Sequence, residues 1–208
     1  MNAAPPRPGR LASMMALGIL TVALASCSKQ GSESQTSSSS APPAESTATA
    51  APAPTLSDAN IAAIVVAANT ADIDNGKQGQ TRAKNAEVKA FARQMINDHG
   101  ASNQQASALA TKLGLTPEDN ATSTGIRTQQ DSIRTAIKRL SGAAFDKAYV
   151  DNEVTYHETV LNAIDQALIP NAQNAELKQL LTNTRPIISA HLDHAKQIQA
   201  KLGGTATR

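Results

Sequence analysis

Three histidines, His99, His157 and His191, stand at positions where a helical apolar stripe calls for leucine or valine. The pattern is clearest around His157: Val150, Val154, His157, Leu161, Ile164 and Leu168 recur at steps of four and three, one face of an α-helix. Asp72 takes a similar place on an earlier stripe, and Glu153 lies one turn before His157. A buried neutral imidazole needs partners for both ring nitrogens, and a buried carboxylate needs a donor or a cation. Two arrangements meet those needs: a histidine–carboxylate hydrogen-bond network, or a transition metal held by imidazole nitrogens and one or two carboxylates. The candidate metal ligands are therefore His99, His157, His191, Asp72 and Glu153, with zinc, iron or copper suited to imidazole. A third reading places the histidines at the surface.

Neighbouring groups enlarge the set. Asp98 adjoins His99, Asp151 precedes Glu153, and Asp193 and His194 follow His191. The dimetal ferritin pattern, in which two helices each give a Glu and two each give Glu-x-x-His, is not met: Glu153 and His157 are four apart, and no helix carries the three-residue spacing. This argues against ferroxidase chemistry. No serine or threonine is tied by spacing to a histidine–acid pair, and there is no Gly-rich phosphate loop, nucleophile elbow or paired-cysteine motif. Tyr149 reads as a bundle-edge packer and Met95 as a core filler. No short internal repeat stands out.

Four long helices must position these residues. The first spans 58 to about 82, capped by Ser57 or Asp58, with Ile61, Val65, Ala68, Asp72 and Gly79 on one face and Ile64 beside them. Gly76 and Gly79 near its end permit a close backbone approach. The second runs from about Asn85 to Leu113 through Val88, Phe91, Met95, His99, Ala106 and Leu109, and Gly114 and Pro117 end it. A polar loop over 115–124 leads to a shorter amphipathic helix, Ile126 to Leu140. The third long helix runs from Ala143 or Ala144 to Leu168 or Ile169, with Pro170-Asn171 as the turn. The fourth covers Ala172 to Leu202, with Leu177, Leu181, Ile187, Ile188, His191, Ala195 and Ile198 inward and Pro186 interrupting its ladder. Two amphipathic hairpins joined by such a connector close as an all-α, up-and-down four-helix bundle.

Depth along that bundle can be gauged at 1.5 Å per residue. Measured from the two expected turns, Asp72 lies about 17 Å up, His99 about 22 Å, His157 about 20 Å and His191 about 30 Å. The four fall in one central band, with His191 the outlier.

The rest of the 208-residue chain is of a different kind. Residues 1–26 read as a signal peptide, with Arg7 and Arg10 ahead of an apolar run from Met14 to Ala25. Leu24-Ala25-Ser26-Cys27 has the form of a lipobox, so Cys27 is the expected lipidation site. It is the only cysteine, which rules out an intrachain disulfide. Residues 27–56 join that cysteine to the domain through a Ser/Thr/Ala/Pro-rich stretch too poor in apolar surface to fold. The bundle domain is expected over 57–204. Arg7 and Arg10 are the only charges in residues 1–26, so residues 27–208 are balanced at seventeen basic and seventeen acidic side chains. That balance argues against nucleic acid as a partner.

Three stretches carry a family resemblance: EVKAFARQMINDHGASN (87–103), LSGAAFDKAYVDNEVTYHETV (140–160) and RPIISAHLDHAKQI (185–198). With Phe91, Ala92, Met95, Asp98 and His99 in the first, Phe145, Asp146, Tyr149 and His157 in the second, and His191-Leu192 in the third, residues 57–202 resemble the bacterial ferritin-like family catalogued as domain of unknown function 4142. In the first helix Asp72 precedes Ile73 where the family carries glutamate. The resemblance implies a helical bundle exported to the cell envelope and implies no established reaction.

Function is thus expected to be that of a non-enzymatic lipoprotein on the periplasmic face of the envelope. Its partners would be the membrane, reached through a lipid anchor, and an envelope protein, and Ser28 after Cys27 favours the outer membrane. The alternative is a transition-metal-binding or metal-dependent redox protein. A third expectation is a sensor whose buried histidines charge at low pH.

Overall fold

The computed structural model describes residues 56–204, so the signal peptide, Cys27 and nearly all of the linker expected from sequence lie outside the described residues. The described residues form four long helices and one connecting helix. These are α1 (Asp58–Arg82), α2 (Ala86–Lys112), α3 (Ala121–Ile137), α4 (Gly142–Ala163), a π-helical turn (Ile164–Leu168), α5 (Ile169–Asn171) and α6 (Ala175–Gly204). α4, the π turn and α5 form one continuous helix. α1 with α2, and α4 with α6, make two antiparallel hairpins, closed into a ferritin-like four-helix bundle with a single crossover through α3. No helix among the described residues is long and apolar enough to cross a membrane.

Local chemistry sets the ends. Ser57 and Asn60 form a capping box at the start of α1, while Leu56 packs on the apolar cluster that contains Ile61. α2 closes in a Schellman motif: Gly114 takes φ 65°, its N–H bonds Thr111 O at 3.1 Å, and Leu115 N–H bonds Ala110 O at 2.9 Å.

Two sequence-based boundaries move. The connecting helix starts at Ala121, not Ile126, because Asn120 caps it and forms a capping box with Ser123. The second hairpin turn is not Pro170-Asn171, because the helix continues to Asn171 and the chain turns over Ala172–Asn174. Proline in a helix removes one N–H and crowds the carbonyl four residues back. Here the preceding turn is widened, with Ile169 N–H bonded to Ile164 O five residues back. Three side chains also depart from expectation. Ile187, placed inward by pattern, is 51% exposed, and Leu140 is exposed as well. Tyr149 lies in the core, not at an edge.

The two hairpin turns share a six-residue signal, Ala83-Lys84-Asn85-Ala86-Glu87-Val88 and Ala172-Gln173-Asn174-Ala175-Glu176-Leu177, which helical periodicity does not reveal. Asn85 Oδ1 accepts from the amides of Glu87 and Val88 at 2.8 and 3.2 Å, and Asn174 Oδ1 accepts from Glu176 and Leu177 at the same two distances. Each turn is clasped by an aspartate of the other hairpin. Asp146 accepts from Lys84 and Asn85 N–H at 2.9 and 2.8 Å, and Asp58 accepts from Gln173 and Asn174 N–H, both at 2.9 Å. Bonds to a charged acceptor contribute about 1.5–3 kcal/mol each. These four bonds fix the height of one hairpin against the other.

The apolar core is in two halves. One, near the α1–α2 turn, is built on Val88, Phe91, Met95, Phe145, Tyr149, Val150 and Ile198. The other, near the α4–α6 turn, is built on Ile61, Ile64, Ile164, Leu168, Leu177, Leu181 and Ile188. On each long helix the boundary between the halves falls at a buried ionisable residue: Asp72, His99, His157 and His191. Where α1 meets α2 and α4 the backbones come close. A Cβ built on Gly79 would lie 2.7 Å from Tyr149 Cζ and 2.9 Å from Ala92 Cβ.

Two glycine substitutions should therefore move stability in opposite directions. Alanine gains about 1 kcal/mol of helix propensity over glycine. Overpacking against the Tyr149 ring, itself stacked on Phe145 at 6.2 Å, costs about 1–3 kcal/mol. Gly79→Ala is expected to lower the unfolding free energy. Gly125→Ala, in α3 with nothing within 4 Å of its Cβ position, should raise it by about 0.5–1 kcal/mol. Urea denaturation of both variants checks the signs.

Candidate metal centre

The four long helices each bring one ionisable group or more to a single level. α1 supplies Asp72, α2 His99, α4 both Glu153 and His157, and α6 His191, and all five are buried. The level is shared because the second turn lies further along the chain than sequence suggests. Counted from the middle of Ala172–Asn174, His157 and His191 stand about 24 and 27 Å up, which removes most of the misfit of His191. The ring centroids form a near-equilateral triangle: 5.8 Å for His99–His157, 5.4 Å for His99–His191 and 5.6 Å for His157–His191.

One nitrogen of each ring is tied to an acceptor away from that centre. His99 Nδ1 lies 2.8 Å from Asn69 Oδ1, and Asn69 Nδ2 in turn donates to Ser102 Oγ at 3.2 Å. His157 Nδ1 is 2.9 Å from the Glu153 backbone oxygen, and His191 Nε2 is 2.9 Å from Asp98 Oδ2. An amide oxygen, a peptide oxygen and a carboxylate can only accept, so these three nitrogens carry the protons. That leaves His99 Nε2, His157 Nε2 and His191 Nδ1, which are all buried without a hydrogen-bond partner.

The carboxylates complete the set. Asp72 is fully buried, with Oδ2 2.7 Å from His99 Nε2 and 3.5 Å from His157 Nε2. The shorter approach has ion-pair distance but not hydrogen-bond alignment, and both Asp72 oxygens lack hydrogen-bond partners. Glu153 Oε2 is 3.7 Å from His157 Nδ1, and both Glu153 oxygens are likewise unpartnered. Two sets of donors, His99–His157–His191 and Asp72–Glu153–His157, each have their ligand atoms within 4.8 Å of one another. A cation bonding nitrogen and oxygen at about 2.0–2.2 Å needs its donors about 3–4 Å apart, within reach of small side-chain rotations.

The electrostatics are those of a site short of positive charge. Burial opposes ionisation of Asp72, but the facing His99 and His157 outweigh it and hold the carboxyl well below its ordinary range. Burial likewise opposes the charging of His99, and Asp72 overcomes it, so His99 is raised above the usual 6.5. Glu153 is pushed well above the usual carboxylate range by burial and by the charge on Asp72. Burial lowers His157 and His191, leaving both neutral near pH 7.

The five ligand candidates read from the sequence fall into two buried triads that share His157. Asp98 serves His191, not the adjacent His99. Asp151 faces Lys147 and Gln199, away from the centre. His194 meets only the edge of Phe91 among aromatic rings, at 5.3 Å. Sequence reasoning missed Asn69, although its place three residues before Asp72 puts it on the same face of α1. It also missed the buried Tyr149 hydroxyl, which has no hydrogen-bond partner. A polar cleft of about 350 Å³ between α2 and α6, lined by Asp98, His99, Gln105 and His191, opens toward the centre and offers an entry path.

Without metal, the centre should give the fold a defined pH response. Glu153, raised on folding, contributes stability that is full below its unfolded value near 4.5 and is lost as pH climbs through the folded value. His99, raised from 6.5, acts in the same sense. His157 and His191, lowered from 6.5, are neutral in both states above about pH 7.5 and add no slope there. Asp72 is ionised throughout that range. Thermal melts in chelator are expected to show stability falling as pH climbs above about 6.5, where His157 and His191 cease to oppose the loss, and Glu153→Gln should flatten part of that fall. An unchanged slope in the variant would place the titration elsewhere.

A family model described as a domain of unknown function (DUF4142) matches residues 43–198. No curated protein and no solved structure matches the chain.

Proposed function

The chain belongs to this DUF4142 family, and we propose that it is a binding protein for a divalent first-row transition metal, held by His99, His157, His191 and Asp72 with Glu153 as a further ligand. The observation that carries this reading is the orientation of three imidazoles. Each gives one N–H to an outer acceptor and leaves its other nitrogen buried without a hydrogen-bond partner, and those of His99 and His157 face Asp72 at 2.7 and 3.5 Å. Outer hydrogen bonds of this kind fix the tautomer and orientation of metal-bound histidines. A purely structural network would leave no inner nitrogen without a partner, whereas His157 Nε2 and His191 Nδ1 have none. A donor set of imidazole and carboxylate without thiolate suits zinc(II), iron(II) or copper(II) over softer ions. Binding a dication would displace the protons held by His99 and Glu153, so affinity should fall as pH drops.

We further propose that the domain is carried on an envelope lipoprotein. Leu24-Ala25-Ser26-Cys27 supports lipid attachment at Cys27, and the Ser/Thr/Ala/Pro-rich stretch after it suits a tether to the outer membrane. Detergent-phase partition of the expressed protein, lost in Cys27→Ala, tests that part.

The metal reading is tested on protein purified without an affinity tag, stripped with chelator and reloaded with zinc(II), iron(II) or copper(II). Elemental analysis should find about one equivalent of at least one of these, a site occupancy that His157→Ala and His191→Gln abolish and His194→Ala preserves. Loading at about 100 times the dissociation constant should add about 2.7 kcal/mol to unfolding. Less than a tenth of an equivalent of all three metals in the wild type would end the proposal.

A further inference from the structure

A second cavity, of about 50 Å³, adjoins the polar cleft beside His99. Its walls are aliphatic, built from Ile64, Ala163, Ile164, Leu168 and Ile188, with the His99 and His157 rings beside them. It shares His99, Ser102, Thr184 and Ile188 with the polar cleft, so those residues divide a wet approach from an apolar one. Ile164 and Leu168 are the first and last residues of the π-helical turn, so the widened stretch of α4 forms part of this wall.

Apart from the two imidazoles, the polar side chains on the wall are engaged elsewhere. Asn69 holds His99 and Ser102, Tyr156 OH donates to Ala68 O at 2.8 Å, and Thr184 Oγ1 donates to Leu180 O at 2.9 Å. A water is retained in a cavity by about two to four polar partners, and apolar cavities stay dry. The volume exceeds the roughly 10–15 Å³ that one water needs and falls well short of the roughly 150 Å³ that admits benzene.

We infer that this cavity is a binding site for a small, uncharged, apolar molecule of two or three heavy atoms, the size of a dissolved gas, delivered to the dry side of the histidine centre. The inference rests on the metal-binding reading and names the class of molecule that the same site would take. Two of its ligands, His99 and His157, form part of the cavity wall, so an occupant sits within one side chain of the donor atoms. The wall is overwhelmingly aliphatic, and its only unpartnered polar atoms are the inner nitrogens of His99 and His157, the same atoms offered to the metal.

Xenon is the probe. The full chain, methyl-labelled at isoleucine and leucine, is titrated with xenon under pressure in chelator and again after zinc(II) loading. The expected result is saturable shifts at Ile64, Ile164, Leu168 and Ile188 in both states. Ala163→Leu, which fills the space, should abolish the shifts while keeping the zinc stoichiometry of the wild type. Ala68→Leu, also on the wall, replaces that variant if it does not fold. Absent or non-saturating shifts in the wild type overturn the inference, as do equal shifts in a folded filling variant. Zinc binding without a xenon response sinks the gas site alone. A xenon response in a protein that takes up no zinc, iron or copper sinks the metal reading, and the cavity is then a packing void.

Discussion

A carboxylate with no access to water governs this bundle. Asp72 sits at zero exposure in the middle of α1, and an isolated charge there would cost several kcal/mol. It stays ionised because His99 and His157 face it from α2 and α4. That one charge sets the state of its neighbours: it draws a proton to His99 and keeps one on Glu153. The centre is therefore tolerable without metal yet under-satisfied, with several buried donor atoms unpartnered. Replacing such groups by apolar residues of similar size often stabilises a protein.

Convergence of the five groups depends on vertical register, because one helical turn is about 5.4 Å and a slip of that size would take an imidazole out of reach. The register is set far from the centre, at the bundle ends. Asp146 grips the first hairpin turn and Asp58 the second, each from the opposite hairpin. Cross-hairpin ion pairs have the same symmetry: Lys201 meets Glu87 at the start of α2, and Lys112 meets Glu176 at the start of α6. These outer pairs are exposed and worth little energy. The buried or half-buried clasps carry the alignment. α3 adds a brace along α1 through Asn75 and Gln130 at 3.0 Å and through Arg134 to Ala71 O at 3.3 Å.

The centre also lies between two unlike surroundings. The cleft toward α2 and α6 is polar and carries Asp98 at its mouth, whereas the cavity toward the π turn is aliphatic. Pro170 links the second feature to local covalent chemistry. A ring without an N–H just after Ile169 favours relaxation of the helix there, and that relaxation lies in the wall of the apolar space.

The amino-acid sequence alone determined the all-α class, the four long helices and the ionisable residues on their apolar stripes. It did so because burial in a bundle enforces a 3.6-residue period, and ionisable groups on such a stripe stand out from leucine and valine. The stop at Gly114 was legible because glycine takes the positive φ of a helix C-terminus without steric cost. The second turn was misplaced because Pro170 reads as a stop, while a π turn let the helix pass it. Ile187 was misplaced because a stripe has an edge, and only the neighbouring helix decides which residues at that edge are covered. Tertiary structure alone decided which ring nitrogen faces inward, that Asp98 belongs to His191, and that Asn69 orients His99. Those outcomes depend on distances between separate helices, set by clasps at the turns and by close approach at Gly79, and no spacing along a single helix encodes them.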